Sequence, residues 1–420
     1  MIDNSWIDDH LTKSKLLTIK EEENHNNPLE HVLITKLIDE SYKLHKESPS
    51  IPLGRLLAST FDLLISADYY SYIGHKGWFY CPEPTPTLYY HFTNCCPRHA
   101  LENLFFFHPS AKPESGKIGS STSRLLRAFY NSILKKRGRK EKVLKGSEPV
   151  DVIIVNEETN HILFGEIKSS PLLSLPLLME SEKLTDAIGN DLLEHEGNIT
   201  INSILNQKID LFVPVLADGK WCESHYAFGC LEDLSDKFWG YRSMIDLFER
   251  DSEFLKVYYS FWNEAFTRYF PKNPDSIYWL TNGCGSPNPI PAWWPKSKSG
   301  DGSGFESISD SKTSVGMDRT DDIKKGIYQV LKLGSEGKPY SSKWHFTVGI
   351  ISNINATRHF KDYLESLKDI IWTNDNTGKS NKAGDLNPEH PLYNLFDGIV
   401  SLTDSHFRDK WLEEVFGDVE

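Results

Sequence analysis

The stretch that decides the fold is Ser147 to Ser170, SEPVDVIIVNEETNHILFGEIKSS. Its run Val152-Ile153-Ile154-Val155 is apolar at every position, the mark of a strand covered on both faces. Glu157 to Asn160 make a short polar turn, so Val150 to Val155 and Ile162 to Ser169 predict a hairpin. Side chains alternate along a strand, so Glu166 and Lys168, two residues apart, share a face. A hairpin that sets Asp151 beside Glu166 brings two carboxylates and one ammonium together at a sheet edge. Oxygen donors of this kind suit Mg²⁺, which keeps waters for exchange. A neighbouring lysine can stabilise hydroxide or the charge that develops on a phosphate. A Glu-x-Lys pair is more often an ordinary solvated face. Here the charges flank Ile167 and follow Phe164, directly after a doubly buried strand, where they are destabilising unless used.

Outward from the hairpin, a short strand is expected around Glu141 to Lys145. A helix is expected before it over Ser121 to Lys136, with Leu125, Leu126, Phe129, Tyr130, Ile133 and Leu134 on its apolar face. This order of helix, strand, strand with Asp and strand with Glu-x-Lys resembles the PD-(D/E)XK nuclease superfamily, type II restriction endonucleases in particular. Pro149-Val150-Asp151 and Glu166-Ile167-Lys168 carry the resemblance, with Val150 interrupting the Pro-Asp pair. The resemblance implies an α/β (α+β) fold. Its mixed central β-sheet is flanked by helices, a restriction endonuclease-like core, with added helical segments. It implies one or two Mg²⁺ ions held by Asp151 and Glu166, with Lys168 positioning the attacking water. Some members carry a further acid on the helix before the first strand. Ser121 to Lys136 has none, and Glu102 or Glu148 as a substitute reads more readily as a surface carboxylate.

The later helix Asp321 to Leu333 resembles the core helix after the hairpin, with Trp344 to Ser352 as the next strand and Lys324, Lys325 and Gln329 along a phosphate path. Glu253 to Tyr269 with Ile277 to Leu280 is an alternative pair, and the sequence leaves both open. Four regions follow: residues 1–110, N-terminal and helical (Glu30 to Glu47, Leu53 to Tyr70); 111–175, the first part of the core; 176–310, a mostly helical insertion with a strand near Leu211 to Leu216, for DNA recognition or dimerisation; and 311–420, the second part of the core and a tail.

Within the first region, Trp78 to His108 is Pro- and aromatic-rich and reads as irregular. Cys96-x-x-His99 has the spacing of half a zinc site. Cys81 with Cys95 or His108 could complete a structural Zn²⁺, although buried thiols and ordinary histidines explain the same residues. Pro287 to Gly304 reads as a long loop, whose Trp293 and Trp294 could stack on DNA bases or simply pack.

The 420 residues carry a net charge of −13, which excludes a protein that coats nucleic acid by bulk positive charge. The acidity is segregated: residues 1–50, 176–270 and 385–420 hold net charges of −4, −9 and −7, and the remainder is +7. Within that remainder, 121–145 carries nine bases and one acid. Arg124, Arg127, Lys135, Lys136, Arg137, Arg139 and Lys140 are thus candidate phosphate contacts beside the hairpin. There is no apolar run near the length of a membrane helix, no signal-peptide pattern, and no case for a disulfide framework in six scattered cysteines. A soluble cytoplasmic protein is expected, bacterial or archaeal by the resemblance.

These features predict a Mg²⁺-dependent endodeoxyribonuclease, a type II restriction enzyme cleaving double-stranded DNA. By resemblance it would act as a homodimer alongside a companion DNA methyltransferase. The alternatives are a repair or phage-defence nuclease acting on structured or modified nucleic acid, and an inactive DNA-binding relative.

Overall fold

The computed structural model describes residues 4–25, 27–81, 84–93, 95–102, 115–180, 199–269, 280–281, 315–367, 369–374 and 389–417. In its N-terminal half the chain forms α1 (Ser5–Asn24), α2 (Pro28–Glu47), α3 (Leu53–Tyr70), β1 (Trp78–Cys81), β2 (Thr87–Tyr90), α4 (Pro97–Leu101) and α5 (Ser115–Lys136), then β3 (Lys142–Lys145), β4 (Val152–Asn156) and β5 (His161–Ile167). Next come β6 (Leu177–Glu180), β7 (Lys208–Ala217), β8 (Lys220–Cys230), α6 (Trp239–Arg250) and α7 (Phe254–Tyr269). The last elements used below are α8 (Thr320–Gly337), β9 (His345–Ser352), β10 (Gly398–Ser401), β11 (His406–Phe407) and α9 (Lys410–Phe416).

The chain divides into two compact units. The first comprises Met1–Asn26, Ser123–Ser169 and Gly316–Glu420; the second comprises Asn27–Thr122 and Ser170–Val315. The first unit is built on a six-stranded mixed sheet in the order β11-β10-β9-β5-β4-β3. β3, β4 and β5 run antiparallel in sequence, whereas β9 lies parallel to β5, and β10 parallel to β9. One face of this sheet presents Ile153, Val155, Ile162, Phe164, Phe346, Val348 and Ile350, packed with Ile7 and Leu11 of α1 and Ile323, Val330 and Leu333 of α8. β4 is buried at all five positions, as its unbroken apolar run requires. Beyond the hairpin, Tyr130 of α5 donates its hydroxyl to the Ser352 carbonyl at 3.0 Å, and Asn131 pairs with both backbone groups of Val143 at 2.8 Å. The buried Asp397 joins β9 to the loop before β10, accepting from the Val348 amide at 2.8 Å and from Lys338 at 2.7 Å.

The second unit holds a five-stranded sheet in the order β1-β2-β6-β7-β8, every neighbour antiparallel, with helices α2, α3, α6 and α7. Asp62 of α3 is fully buried, and its Oδ2 accepts from the Leu172 and Leu173 amides at 2.9 and 3.0 Å and from the Trp262 indole at 2.8 Å. Among the described residues, no helix is long and apolar enough to cross a membrane.

A mixed sheet flanked by helices is the architecture expected from the sequence. Four expectations change. The region 1–110 is not one body: α1 belongs with the first unit, because Ile7, His10, Leu11 and Ser14 recur at helical spacing and are buried. The span 176–270 is not mostly helical, since β6 and the long β7–β8 hairpin occupy much of its described part. The described residues between Trp78 and Glu102 form β1, β2 and α4, where an irregular stretch was expected. The helix expected over Ser121 to Lys136 begins earlier, at Ser115.

Candidate active site

The β4–β5 ladder pairs Val152 with Gly165 and Ile153 with Phe164. Extending that register by one residue sets Asp151 opposite Glu166. Asp151 is tied there by its backbone, its amide donating to the Gly165 carbonyl at 3.1 Å, and by its carboxylate, whose Oδ2 accepts from the Ile167 amide at 3.1 Å. Gly165, next to Glu166 and paired with Val152, has no room for a side chain: a Cβ there would lie 2.9 Å from Ile351 Cδ1 and 3.0 Å from Val152 Cγ1. The loop before Asp151 is held from α1, where His10 Nδ1 lies 2.8 Å from Ser147 Oγ. Lys168 leaves the sheet with its amide bonded to the Ile351 carbonyl at 3.0 Å, and its ammonium sits 2.5 Å from Glu166 Oε1.

The two carboxylates differ in environment. Asp151 is exposed, whereas Glu166 is 7% exposed. Burial, and then the charge of Asp151, push the Glu166 carboxyl up to about 7 against the pull of Lys168. At neutral pH, Glu166 is therefore poised between a protonated form that hydrogen-bonds Asp151 and an ionised form that pairs with Lys168. Two oxygen donors, one exposed and one buried, beside an ammonium match the coordination preferences of Mg²⁺, which binds through one or two carboxylates and keeps waters. Asp151, Glu166 and Lys168, predicted to converge, do so.

The sequence left two ways to complete this core. α8 and β9 do it: β9 pairs with β5 through Glu166 and Ile167, and a Cβ on Gly326 of α8 would sit 3.8 Å from Lys168 Cγ and 3.9 Å from Glu166 Cγ. α7, the rival helix, belongs to the second unit, and most of Ile277 to Leu280 lies outside the described residues. Gly326 was not singled out from the sequence, although a glycine inside a helical repeat signals close backbone approach. Gln329 follows one turn later on the same side. Lys324 and Lys325 are exposed, and Lys324 lies 5.6 Å over the Tyr363 ring.

No family model, curated protein or solved structure matches this chain.

The basic cluster of 121–145 is placed differently from expectation. Lys142 pairs with Val155, and Lys140 bridges to Glu158 in the β4–β5 turn at 2.5 Å, so this end of the cluster lies at the end of the sheet away from Asp151. Arg137 and Arg139 donate to carbonyls of Val415 and Glu414 in α9, where cations suit a helix C-terminus. Arg127 is buried and pairs with Glu21 at 2.5 Å, and Lys145 shares that carboxylate at 3.0 Å. The bases are thus spread over α5, β3 and the turn between them and partly committed to internal pairing, not gathered beside the carboxylates. Lys135 and Lys136 are exposed, and Arg124 is half-buried. Glu21, the acid that Arg127 and Lys145 share, lies on α1, more than a hundred residues upstream of the hairpin in sequence. Glu148 is exposed, and Glu102, also exposed, belongs to the second unit.

Of the expected zinc ligands, Cys81, Cys96 and His99 come together and Cys95 does not: its thiol is directed to the Cys96 carbonyl at 3.8 Å. His108, Trp293 and Trp294 lie outside the described residues.

Proposed function

We propose that the chain is a Mg²⁺-dependent endonuclease that hydrolyses phosphodiester bonds of double-stranded DNA, with Asp151 and Glu166 as metal ligands and Lys168 as the residue that positions water. The reading rests on one observation: an exposed carboxylate, a buried carboxylate and an ammonium meet at the end of a buried hairpin, with Glu166 and Lys168 only 2.5 Å apart. A bound Mg²⁺ supplies Lewis acidity to the phosphate and lowers the pKa of a water. The protein's own residues do the rest. Glu166, when ionised, would be a ligand of the cation, and Lys168 would then be released from its ion pair. The Lys168 ammonium would donate to the attacking water and hold the hydroxide as that water's proton passes to solvent. Asp151, on the exposed side, reaches solvent and substrate while its other oxygen stays fixed by the Ile167 amide. In the hydrolysis, water oxygen bonds to phosphorus, one P–O ester bond breaks, and the leaving oxygen takes a proton from solvent.

The finer assignment is a restriction-type enzyme, two copies of the chain cutting the two strands and a companion methyltransferase protecting host DNA. A repair or phage-defence nuclease would use the same three residues, and an inactive relative would use none. A plasmid digest in Mg²⁺ and in EDTA, with sequencing of the ends, separates these. Discrete fragments with a shared end sequence support the restriction reading, a smear or nicking supports the second, and no cleavage in any divalent metal removes the nuclease assignment.

A further inference from the structure

Cys81, Cys96 and His99 play no part in phosphodiester chemistry, and they belong to the second unit. Cys81 ends β1, Cys96 caps α4 and His99 lies within α4. Their two sulfurs and one ring nitrogen all lie within 4.8 Å of one another. Both thiols are buried, in a cluster with Phe79, Tyr89 and Phe212, while His99 is half-buried. Nδ1 of His99 is 3.5 Å from Cys81 Sγ and 3.3 Å from Cys96 Sγ. A ring nitrogen has one lone pair or one proton, so a hydrogen bond serves only one of these sulfurs well. A cation among the three serves all of them. A tetrahedral Zn²⁺ with Zn–S of ~2.3 Å and Zn–N of ~2.0 Å sets sulfur and nitrogen ~3.5 Å apart, close to both separations. Sulfur and imidazole donors select zinc over Mg²⁺.

We propose that Cys81, Cys96 and His99 bind one Zn²⁺, with water in the fourth position, and that the ion clamps the end of β1 to the start of α4. Both thiols bind as thiolates, each releasing a proton to solvent, and the neutral imidazole completes an uncharged site. Cys95 takes no part.

Full-length protein is kept reduced, loaded with Zn²⁺, desalted and measured for bound metal. About one zinc per chain is expected in the wild type and in Cys95→Ser, falling to less than a tenth in Cys81→Ser and Cys96→Ser. Asp151→Ala should keep its zinc, which separates this site from the proposed nuclease centre. Because a thiol variant can fail to fold, Co²⁺ is also added to the wild type, where a thiolate-to-cobalt charge-transfer band with tetrahedral ligand-field absorption is expected. Folded wild type without zinc and without that band overturns the proposal. So does zinc retained in Cys81→Ser and Cys96→Ser, or a loss in Cys95→Ser as large as in either.

Discussion

Glu166 couples fold and chemistry most tightly. Its folded carboxyl sits at about 7, against 4.5 for the ordinary group, because burial and the Asp151 charge disfavour ionisation. The folded state therefore holds a proton that the unfolded chain releases. Stability from this group is fully present below pH 4.5 and falls as pH rises towards 7, a loss of about 3 kcal/mol at most. On the proposed reading, a divalent cation held by the ionised form would oppose that loss. Melting temperatures should thus show a larger Mg²⁺-dependent rise at pH 8 than at pH 6, and Glu166→Gln should flatten both the pH dependence and the Mg²⁺ effect. An unchanged Mg²⁺ effect in that variant would mean that the cation binds elsewhere. At this scale the sequence was most informative: two-residue alternation and a four-residue polar turn suffice to place Asp151, Glu166 and Lys168 together. The carboxyl's poise was not legible, since it depends on cover from α8 and β9, far along the chain.

The hairpin itself is the next test. Gly165 pairs with Val152, one step inside the facing acids, and a methyl group there meets Ile351, Val152 and the Gly349 carbonyl at 2.9, 3.0 and 3.2 Å. Gly165→Ala should lower stability by ~1–3 kcal/mol through overpacking, read as a lower denaturant midpoint at unchanged slope. A neutral result would show that β9 shifts freely against β5. Buried elements were the legible ones: β4, β5, α8 and β9 carry strong apolar patterns. β8 was missed because it is mostly exposed or half-buried and shows no clean alternation. α1 was missed because its polar face dominates its composition, although its buried residues keep helical spacing. The bases of 121–145 were legible as a cluster but not as a place. A helix rising 1.5 Å per residue carries them along the sheet, and the β3–β4 register then puts Lys142 and its neighbours at the far end.

Over the whole chain, sequence order and spatial grouping diverge. The first unit gathers three separate segments and the second gathers two, a division that no composition shift announces. The second unit has its own pH signature. Burial outweighs three donated hydrogen bonds and pushes the Asp62 carboxyl up to about 8. Its stabilising proton is fully present below pH 3.8 and lost as pH rises towards 8. Asp62→Asn keeps an oxygen for the Leu172, Leu173 and Trp262 donors, so it should fold and should soften the fall in stability between pH 5 and 8; an unaltered fall would place its origin in another group. Under the proposed nuclease reading, the net charge of −13 is compatible with DNA only if binding is local, and the spread of the 121–145 bases would narrow the footprint to the surroundings of Asp151 and Lys168. The most direct test of the nuclease assignment is plasmid cleavage in Mg²⁺ by wild type, Asp151→Ala and Lys168→Ala, with folding and DNA retention checked in parallel. Mg²⁺-dependent cutting by the wild type, reduced at least ~100-fold in both variants while DNA is still bound, is the predicted result; normal cutting by either variant, or none by the wild type in any divalent metal, would contradict it.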